Sequence, residues 1–243
     1  MTADLPQITS ALHTQWSRLQ SWVGPLGDNL LGQRTKPSVL DGWTIGELVA
    51  HLGRAMDALA VCTPAEPGTR PIELAEYVGS YPERADDITR VTRELAEEIS
   101  DSPLESVDAL ARAALARLDE LSLDDVVVVQ ARRGAITLRD MAMSRLIELV
   151  VHAEDLVASL KGVVDSAGPA NPIDREAQRM VAEELLDIVV TRGGWDLEVV
   201  DPGLWIRLAT GRARYNVDDL ARALTTDYTA GGVPDLGRML PIL

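Results

Sequence analysis

Three side chains of metal-ligating type stand out in this sequence of 243 residues: His51, Glu148 and His152. Glu148 and His152 are four residues apart, so on a helix their side chains project the same way from consecutive turns. That spacing suits joint coordination of one cation. Because two ligands rarely hold a divalent ion tightly, we expect a third from another helix, and His51 is the natural candidate. Two histidines and one glutamate leave a fourth position open, which is typical of catalytic zinc sites.

Simpler interpretations of the same residue types stay open at this point. A Glu-x-x-x-His pair is common on solvated helices, and a single histidine such as His51 is more often a core or capping residue than a ligand. The third histidine, His13, falls away from the apolar stripe of its predicted helix and is expected to face solvent. Arg145 could neutralise Glu148. Asp155 could orient a ligating histidine by accepting a hydrogen bond from the ring nitrogen that does not bind the metal. It could also pair with Arg145 or lie exposed.

Two predicted helices must position these residues. Thr44 and Glu47 have the spacing of a capping box, which starts the helix that carries His51. Thr137 caps a long helix that runs to about Leu160 and is apolar on most sides, so it belongs inside a bundle. Polar residues at spacings of three and four nevertheless follow one line along it: Arg145, Glu148, His152, Asp155 and Ser159.

The remaining pattern predicts a mainly α protein. Helical periodicity covers residues 6–23, 72–79, 83–100, 103–121, 173–191, 202–210 and 217–224, and residues 62–70 are expected to form a loop. Residues 126–129 and 134–136 favour a short hairpin, and residues 197–200 a short strand. We predict a four-helix bundle over residues 1–165 and a small mixed α/β domain over residues 166–243.

Composition excludes several classes of partner. The net charge of −15 and pI near 4.6 would repel nucleic acid and anionic lipid surfaces, and no basic run compensates. No apolar run approaches the roughly 20 residues that cross a bilayer, and the first residues lack the pattern of a signal peptide. A single cysteine, Cys62, fits a reducing compartment. We therefore expect a cytoplasmic protein that binds neither nucleic acid nor membranes. We expect it to be a monomer or a homodimer.

Two stretches of this sequence resemble a known family. Residues 43–52 read WTIGELVAHL and residues 145–156 read RLIELVVHAEDL. They resemble the mycothiol-dependent maleylpyruvate isomerase family, within the wider group of DinB-like metal-binding four-helix bundles. Its signature is a tryptophan-started helix with one histidine and a later helix with Glu-x-x-x-His. The resemblance implies that His51, Glu148 and His152 bind zinc or another divalent ion, with mycothiol as co-substrate.

The C-terminal region carries a second resemblance. Residues 204–212 and 231–236 look like the C-terminal region of relatives that are often labelled sterol-carrier-like, although the segment is short for a complete lipid-carrying domain. The isomerase branch also uses an arginine from this region near the metal. Four arginines are available, and Arg212 is the first choice: Arg207, Arg212, Arg214 and Arg222.

The leading functional hypothesis is a thiol-dependent transferase or isomerase. A divalent ion would lower the pKa of a low-molecular-weight thiol, and the resulting thiolate would attack a small electrophile. Arg212 could hold a substrate carboxylate. Two alternatives stay open: hydrolysis with Asp155 as the base, and a non-catalytic metal-binding or sterol-carrier-like protein that binds a small molecule. The sequence contains no phosphate-binding glycine loop and no serine hydrolase motif.

Overall fold

The computed structural model describes residues 2–161, 171–226 and 232–243. Their helices are α1 (Leu5–Val23), α2 (Gly27–Gln33), α3 (Ile45–Ala60), α4 (Leu74–Gly79), α5 (Ala85–Glu98), α6 (Pro103–Leu123), α7 (Leu138–Ser159), α8 (Arg175–Gly193), α9 (Pro202–Ala209) and α10 (Val217–Ala223). Their strands are β1 (Thr63–Pro64), β2 (Val128–Ala131), β3 (Gly134–Thr137), β4 (Glu198–Val199) and β5 (Leu224–Thr225).

Side-chain caps fix the starts of the two helices that carry the predicted ligands. At α3, Thr44 accepts a hydrogen bond from the backbone N–H of Glu47 at 3.1 Å, and Glu47 accepts one from the backbone N–H of Thr44 at 2.6 Å. At α7, Thr137 accepts from the backbone N–H of Asp140 at 3.0 Å. These bonds satisfy donors that would lack a partner in the first helical turn. The helix phase, and with it the direction of each ligand side chain, is set locally.

The bundle consists of α1, α3, α6 and α7, with α5 packed on the outside of α3. Helix α7 is buried almost all round because it contacts α1, α3 and α8 on different sides. Helices α3 and α6 approach closely at Gly53, where a Cβ atom would lie 3.0 Å from Cγ2 of Val107. The predicted bundle is therefore built around the helix with the most uniformly apolar sequence.

Two small antiparallel sheets accompany the helices. The predicted hairpin forms between β2 and β3, with Val129 opposite Ile136. Strand β1 adds to its edge, with Thr63 opposite Gln130. The prediction of an uninterrupted loop over residues 62–70 is wrong at this strand, because a two-residue edge strand gives no periodic signal of its own. Strands β4 and β5 pair in the C-terminal part.

The C-terminal part packs directly on the bundle. Helix α8 contacts α1 and α7, and α9 contacts α8. Arg139 on α7 and Glu184 on α8 form a two-bond ion pair, with N–O distances of 2.7 and 2.5 Å. Buried side chains on both sides of residues 162–170 belong to one continuous core.

The predicted fold class, mainly α with a small α/β part, is confirmed. The predicted domain boundary between residues 165 and 166 lies outside the described residues, and the division into two domains stays a prediction. Among the helices that the structure describes, none combines the length and the apolar character needed to span a bilayer.

Candidate metal centre

Three ligand-type side chains meet where α3 packs against α7. Nε2 of His51, from α3, lies 3.2 Å from Oε2 of Glu148 on α7. Nε2 of His152, one turn further along α7, lies 3.2 Å from the same oxygen. All three residues are buried, and one possible ligand atom from each lies within 4.8 Å of the others. The structure thus brings together the three residues that the sequence singled out.

The imidazole of His51 is held from two sides. Its Nδ1 lies 3.3 Å from Oγ1 of Thr92, a fully buried residue on α5. The ring of Trp43 packs edge-on against it, with ring centroids 4.9 Å apart. The His152 ring stands nearly perpendicular to it at 4.6 Å. With Nδ1 engaged by Thr92, Nε2 is left facing Glu148 and His152.

The imidazole of His152 is held from behind by Asp155. Nδ1 of His152 lies 2.9 Å from Oδ2 of Asp155, whose side chain is 2% exposed. Arg212 reaches the same carboxylate from the C-terminal part, at 3.0 Å through Nη2 and at 3.4 Å through Nε. The sequence left three roles open for Asp155, and the structure shows the one in which it hydrogen-bonds to a candidate ligand, His152.

Comparison with known proteins adds a family assignment to this geometry. The family model of the mycothiol maleylpyruvate isomerase N-terminal domain matches residues 12–157, which is more than half of the chain. The chain belongs to the mycothiol maleylpyruvate isomerase family. No curated protein and no solved structure matches it. The match confirms the resemblance of residues 43–52 and 145–156, but it ends before the C-terminal segment, where the sterol-carrier-like resemblance stays a prediction.

The predicted ion pair between Arg145 and Asp155 is wrong. Its guanidinium donates to the backbone carbonyl of Ala55 at 2.8 Å and to the hydroxyl of Tyr81 at 2.9 Å. Within the described residues it forms no ion pair with Asp155. Glu148 lies beyond ion-pair distance, but the attraction of its carboxylate helps to raise the pKa of Arg145. The reason is the direction of the two side chains. Arg145 reaches the backbone of α3 at Ala55, whereas Asp155 points toward Arg212.

In this isomerase-family centre, Glu148 and His51 are shifted toward the protonation states that bind a metal ion. Burial alone would raise the pKa of Glu148, but hydrogen bonds from His152 and His51 outweigh it and hold that pKa well below its usual range. Burial lowers the pKa of His51, and the neighbouring His152 lowers it further. A carboxylate and a neutral imidazole are the forms that bind metal.

The pKa of His152 moves in the opposite direction. Burial lowers it, but hydrogen bonds to Asp155 and Glu148 outweigh burial and raise it above its usual value. A proton and a cation therefore compete for the same Nε2 lone pair, while the hydrogen bond to Asp155 keeps Nδ1 as the donor.

The donor set fits a divalent transition metal. Two imidazole nitrogens and one carboxylate oxygen are the ligands that catalytic zinc sites use, and each would lie about 2.0–2.2 Å from the ion. Two ligands of one tetrahedral ion at that distance lie about 3.4 Å apart. The distances of 3.2 Å from Glu148 to His51 and to His152 are close to this value. The cluster can bind a metal without large rearrangement of either helix.

A cavity of about 450 Å³ opens onto the three ligands. That size is within the usual range of about 300–1,000 Å³ for sites of small molecules. Its other walls are mostly apolar and carry one guanidinium and one further carboxylate: they include Asp41, Trp43, Ile88, Ile147, Arg212 and Leu243. A larger cavity of about 950 Å³ lies on the other side of Asp155 and Arg212.

Arg212 is the C-terminal arginine that the structure places at this cavity. Arg207 lies 4.0 Å from Glu154, and Arg222 pairs with Asp219 on its own helix. Arg214 is exposed. The first choice from the sequence therefore lies nearest to the three ligands, through its ion pair with Asp155.

Sequence reasoning missed Thr92 and Tyr81. A signal for Thr92 existed, because Ile88, Val91, Thr92 and Leu95 form the apolar stripe of an otherwise highly charged helix. A threonine in such a stripe is buried and needs a hydrogen-bond partner. For Tyr81 we find no such pattern. His13 lies exposed beside Asp119, as expected.

Proposed function

We propose that this protein is a divalent-metal-dependent enzyme that uses a low-molecular-weight thiol, of the mycothiol type, on a small electrophilic substrate. One observation carries the proposal. In a member of this family, two imidazoles and a carboxylate from two helices meet at the wall of a cavity of about 450 Å³.

His51, Glu148 and His152 would hold the ion, for which zinc is our first choice. When bound, such an ion supplies a positive charge that lowers the pKa of a thiol and so yields thiolate at neutral pH. The walls around Trp43 and Ile147 would present an apolar surface to the reacting sulfur. Low local polarity also strengthens each charge interaction in the cavity.

Two outcomes balance chemically. In a transfer reaction, the sulfur forms a bond to an electrophilic carbon, the leaving group departs with the bonding electron pair, and the thiol proton goes to solvent. In an isomerisation, the sulfur adds to one carbon of a double bond and the π electron pair moves onto an electron-withdrawing group conjugated with it. The resulting single bond rotates, the pair returns to re-form the double bond, and the sulfur leaves with the electrons of the C–S bond. The second reaction regenerates the thiol, so it consumes substrate without consuming thiol.

Arg212 and Asp155 would serve as a positioning pair. A guanidinium has five N–H donors, and those of Arg212 bond to Asp155 twice and to the carbonyl of Thr210 once. The remaining two are available to a polar group of the substrate. Asp155 keeps the tautomer of His152 in place, and because both of its oxygens are engaged, it is a poor base for the hydrolytic alternative.

Metal analysis of the purified protein tests the first half of the proposal. We expect about one divalent ion per chain in wild type and a large loss in His51→Ala, Glu148→Gln and His152→Ala, since three ligands are needed for tight binding. His13→Ala is the matched control, because His13 is exposed on α1. Equal metal content in the ligand variants and the control would contradict the site.

Kinetic assays test the second half. The metal-loaded protein is mixed with mycothiol and a chromogenic electrophile, with and without a chelator. Metal-dependent consumption of both compounds supports transfer, and metal-dependent conversion of an unsaturated substrate without loss of thiol supports isomerisation. If the metal-loaded protein binds no thiol at about millimolar concentration, the non-catalytic alternative replaces this proposal.

A further inference from the structure

A small arginine-rich cavity lies on the other side of Glu148 from Arg212. Its volume is about 90 Å³, which is several times the roughly 10–15 Å³ that one water molecule needs. Five arginines line it against two acids, Asp87 and Glu148: the arginines are Arg54, Arg84, Arg132, Arg133 and Arg145. We call this cavity the arginine pocket. Such a concentration of positive charge is unexpected in a chain with a net charge of −15.

Local acids compensate only part of this charge. Asp57 accepts from Arg54 at 3.3 Å and from Arg132 at 2.7 Å, and Asp87 lies 3.5 Å from Arg84. Arg132 and Arg84 are also partly exposed, so solvent screens them. Among the described residues, Arg133 and Arg145 have no carboxylate partner within ion-pair distance.

Arg145 is a buried cation whose hydrogen bonds go to neutral groups. It is 3% exposed, and its bonds go to the carbonyl of Ala55 and to the hydroxyls of Tyr81 and Ser144. No carboxylate of the described residues lies within ion-pair distance of it. Glu148 attracts this cation only from beyond ion-pair distance, and because a buried charge without a close counter-ion is costly, this position favours a bound anion.

Arg133 has an unused donor. Its Nη1 is buried and has no hydrogen-bond partner in the part of the chain that the structure describes. Its guanidinium stacks over the rings of Tyr81 and Tyr77, with distances of 4.7 and 5.3 Å to the ring centroids. This stacking fixes the plane of the guanidinium, so the donor is held in a definite direction. Buried donors in native proteins almost always have a partner.

The pocket borders the metal centre. His51, Ile88 and Glu148 line both the arginine pocket and the cavity of about 450 Å³. The arginines come from separate elements: Arg54 from α3, Arg145 from α7, and Arg132 and Arg133 from the turn between β2 and β3. The hairpin turn therefore brings two positive charges to a pocket that His51 and Glu148 also line.

We propose that the arginine pocket is a binding site for a small oxyanion, a carboxylate or phosphate group, held chiefly by Arg133 and Arg145. The planar guanidinium fork matches the two oxygens of such a group, and charge-assisted hydrogen bonds of this kind are the strong ones. The site is separate from Arg212 and needs neither metal nor thiol to bind its anion.

Anion titration of the full chain, stripped of metal, tests this site. Acetate and inorganic phosphate are titrated separately at constant ionic strength, with sodium chloride as the balancing salt, and binding is followed by calorimetry. We expect saturable binding of at least one anion at about millimolar concentration, and the two arms show which oxyanion the pocket prefers. Absence of saturable binding of both would overturn the proposal.

Variants locate the binding site. Arg133→Gln removes the unpartnered donor and should weaken binding by about tenfold or more. Arg132→Gln, at an exposed turn residue, is a second variant that leaves the buried packing intact and should weaken binding by a smaller factor. Arg112→Gln is the matched control, because Arg112 is 68% exposed on α6 and pairs only with Asp108 in the described residues. Equal affinity in all three variants would also overturn the proposal.

Metal content is measured on the same variants. We expect Arg133→Gln to keep its metal while losing the anion. The proposed enzymatic function can thus fail while the anion site stands, and the anion site can fail while metal binding stands.

Discussion

Asp155 and Arg212 form an ion pair that joins helix α7 to the C-terminal part of the chain. The Nη2–Oδ2 distance is 3.0 Å, and the side chains are 2% exposed for Asp155 and 24% for Arg212. The same carboxylate holds His152. The position of one candidate ligand is thereby coupled to a residue that lies outside the part of the chain matched by the family.

Loss of Arg212 should destabilise the fold. Arg212→Gln leaves the buried carboxylate of Asp155 without its cationic partner, and we expect the free energy of unfolding to fall by about 1–3 kcal/mol. Urea denaturation measures it. Arg222→Gln is the matched control, because Arg222 is 71% exposed in a surface pair, and it should change the free energy of unfolding by less than about 0.5 kcal/mol. Similar losses in both variants would contradict the structural role of the Asp155 pair.

Loss of the charge on Asp155 should weaken metal binding. In Asp155→Asn the neutral amide stabilises the His152 tautomer with its proton on Nδ1 less than the carboxylate does, because its NH2 group can instead donate to a bare Nδ1. Substitutions of this kind reduce metal affinity by about 10–100-fold. Competition with a chromogenic chelator measures the affinity. Arg212→Gln is the comparison, because it breaks the same ion pair but keeps the bond between Asp155 and His152. If both variants lose equal affinity, Asp155 acts through stability alone.

The ion pair between Arg139 and Glu184 should anchor α8 to the bundle. Glu184 is 7% exposed and accepts two bonds from Arg139, whose pKa those bonds raise. Glu184→Gln removes the charge at nearly constant shape and should lower the free energy of unfolding by about 1–3 kcal/mol. Its neighbour Glu183 belongs to a surface pair with Arg179, so Glu183→Gln should cost less than about 0.5 kcal/mol. A reversed order of the two variants would be the contrary result.

The thiol of Cys62 should be inert in the native protein. Burial raises its pKa to about 11 from a usual value of 9.0, although nearby arginines oppose the shift. A thiol-specific reagent at pH 8 should therefore react only after denaturation, since the thiolate is the reactive form. Fast reaction of the folded protein would show that Cys62 is accessible.

The same shift predicts a dependence of stability on pH. Because the folded chain holds the proton of Cys62 more tightly than the unfolded chain, this contribution is complete below pH 9 and is lost as the pH rises through about 11. Cys62→Ala should flatten the fall in the free energy of unfolding over that window. An unchanged slope in the variant would assign the fall to other groups.

Local sequence was sufficient for the helices and for half of the candidate centre. The caps at Thr44 and Thr137 and the spacing of Glu148 and His152 depend only on helix geometry, which repeats every 3.6 residues whatever the helix packs against. The need for a third ligand from another helix pointed to His51, and the family resemblance implied the same residue. Strand β1 was missed because local sequence does not show its pairing: its partner in the sheet is distant in sequence.

Only the tertiary structure decided which side chains meet. His51 and Glu148 are 97 residues apart, and Asp155 and Arg212 are 57 apart. Before the fold is known, a ligating histidine, Arg145 and solvent all stay open as partners for Asp155. Helix packing selects among them because each helix buries one face against one particular neighbour, and charges on that face must find their partners there. The arginine pocket depends on this most, since its side chains come from several elements and have no common spacing in the sequence.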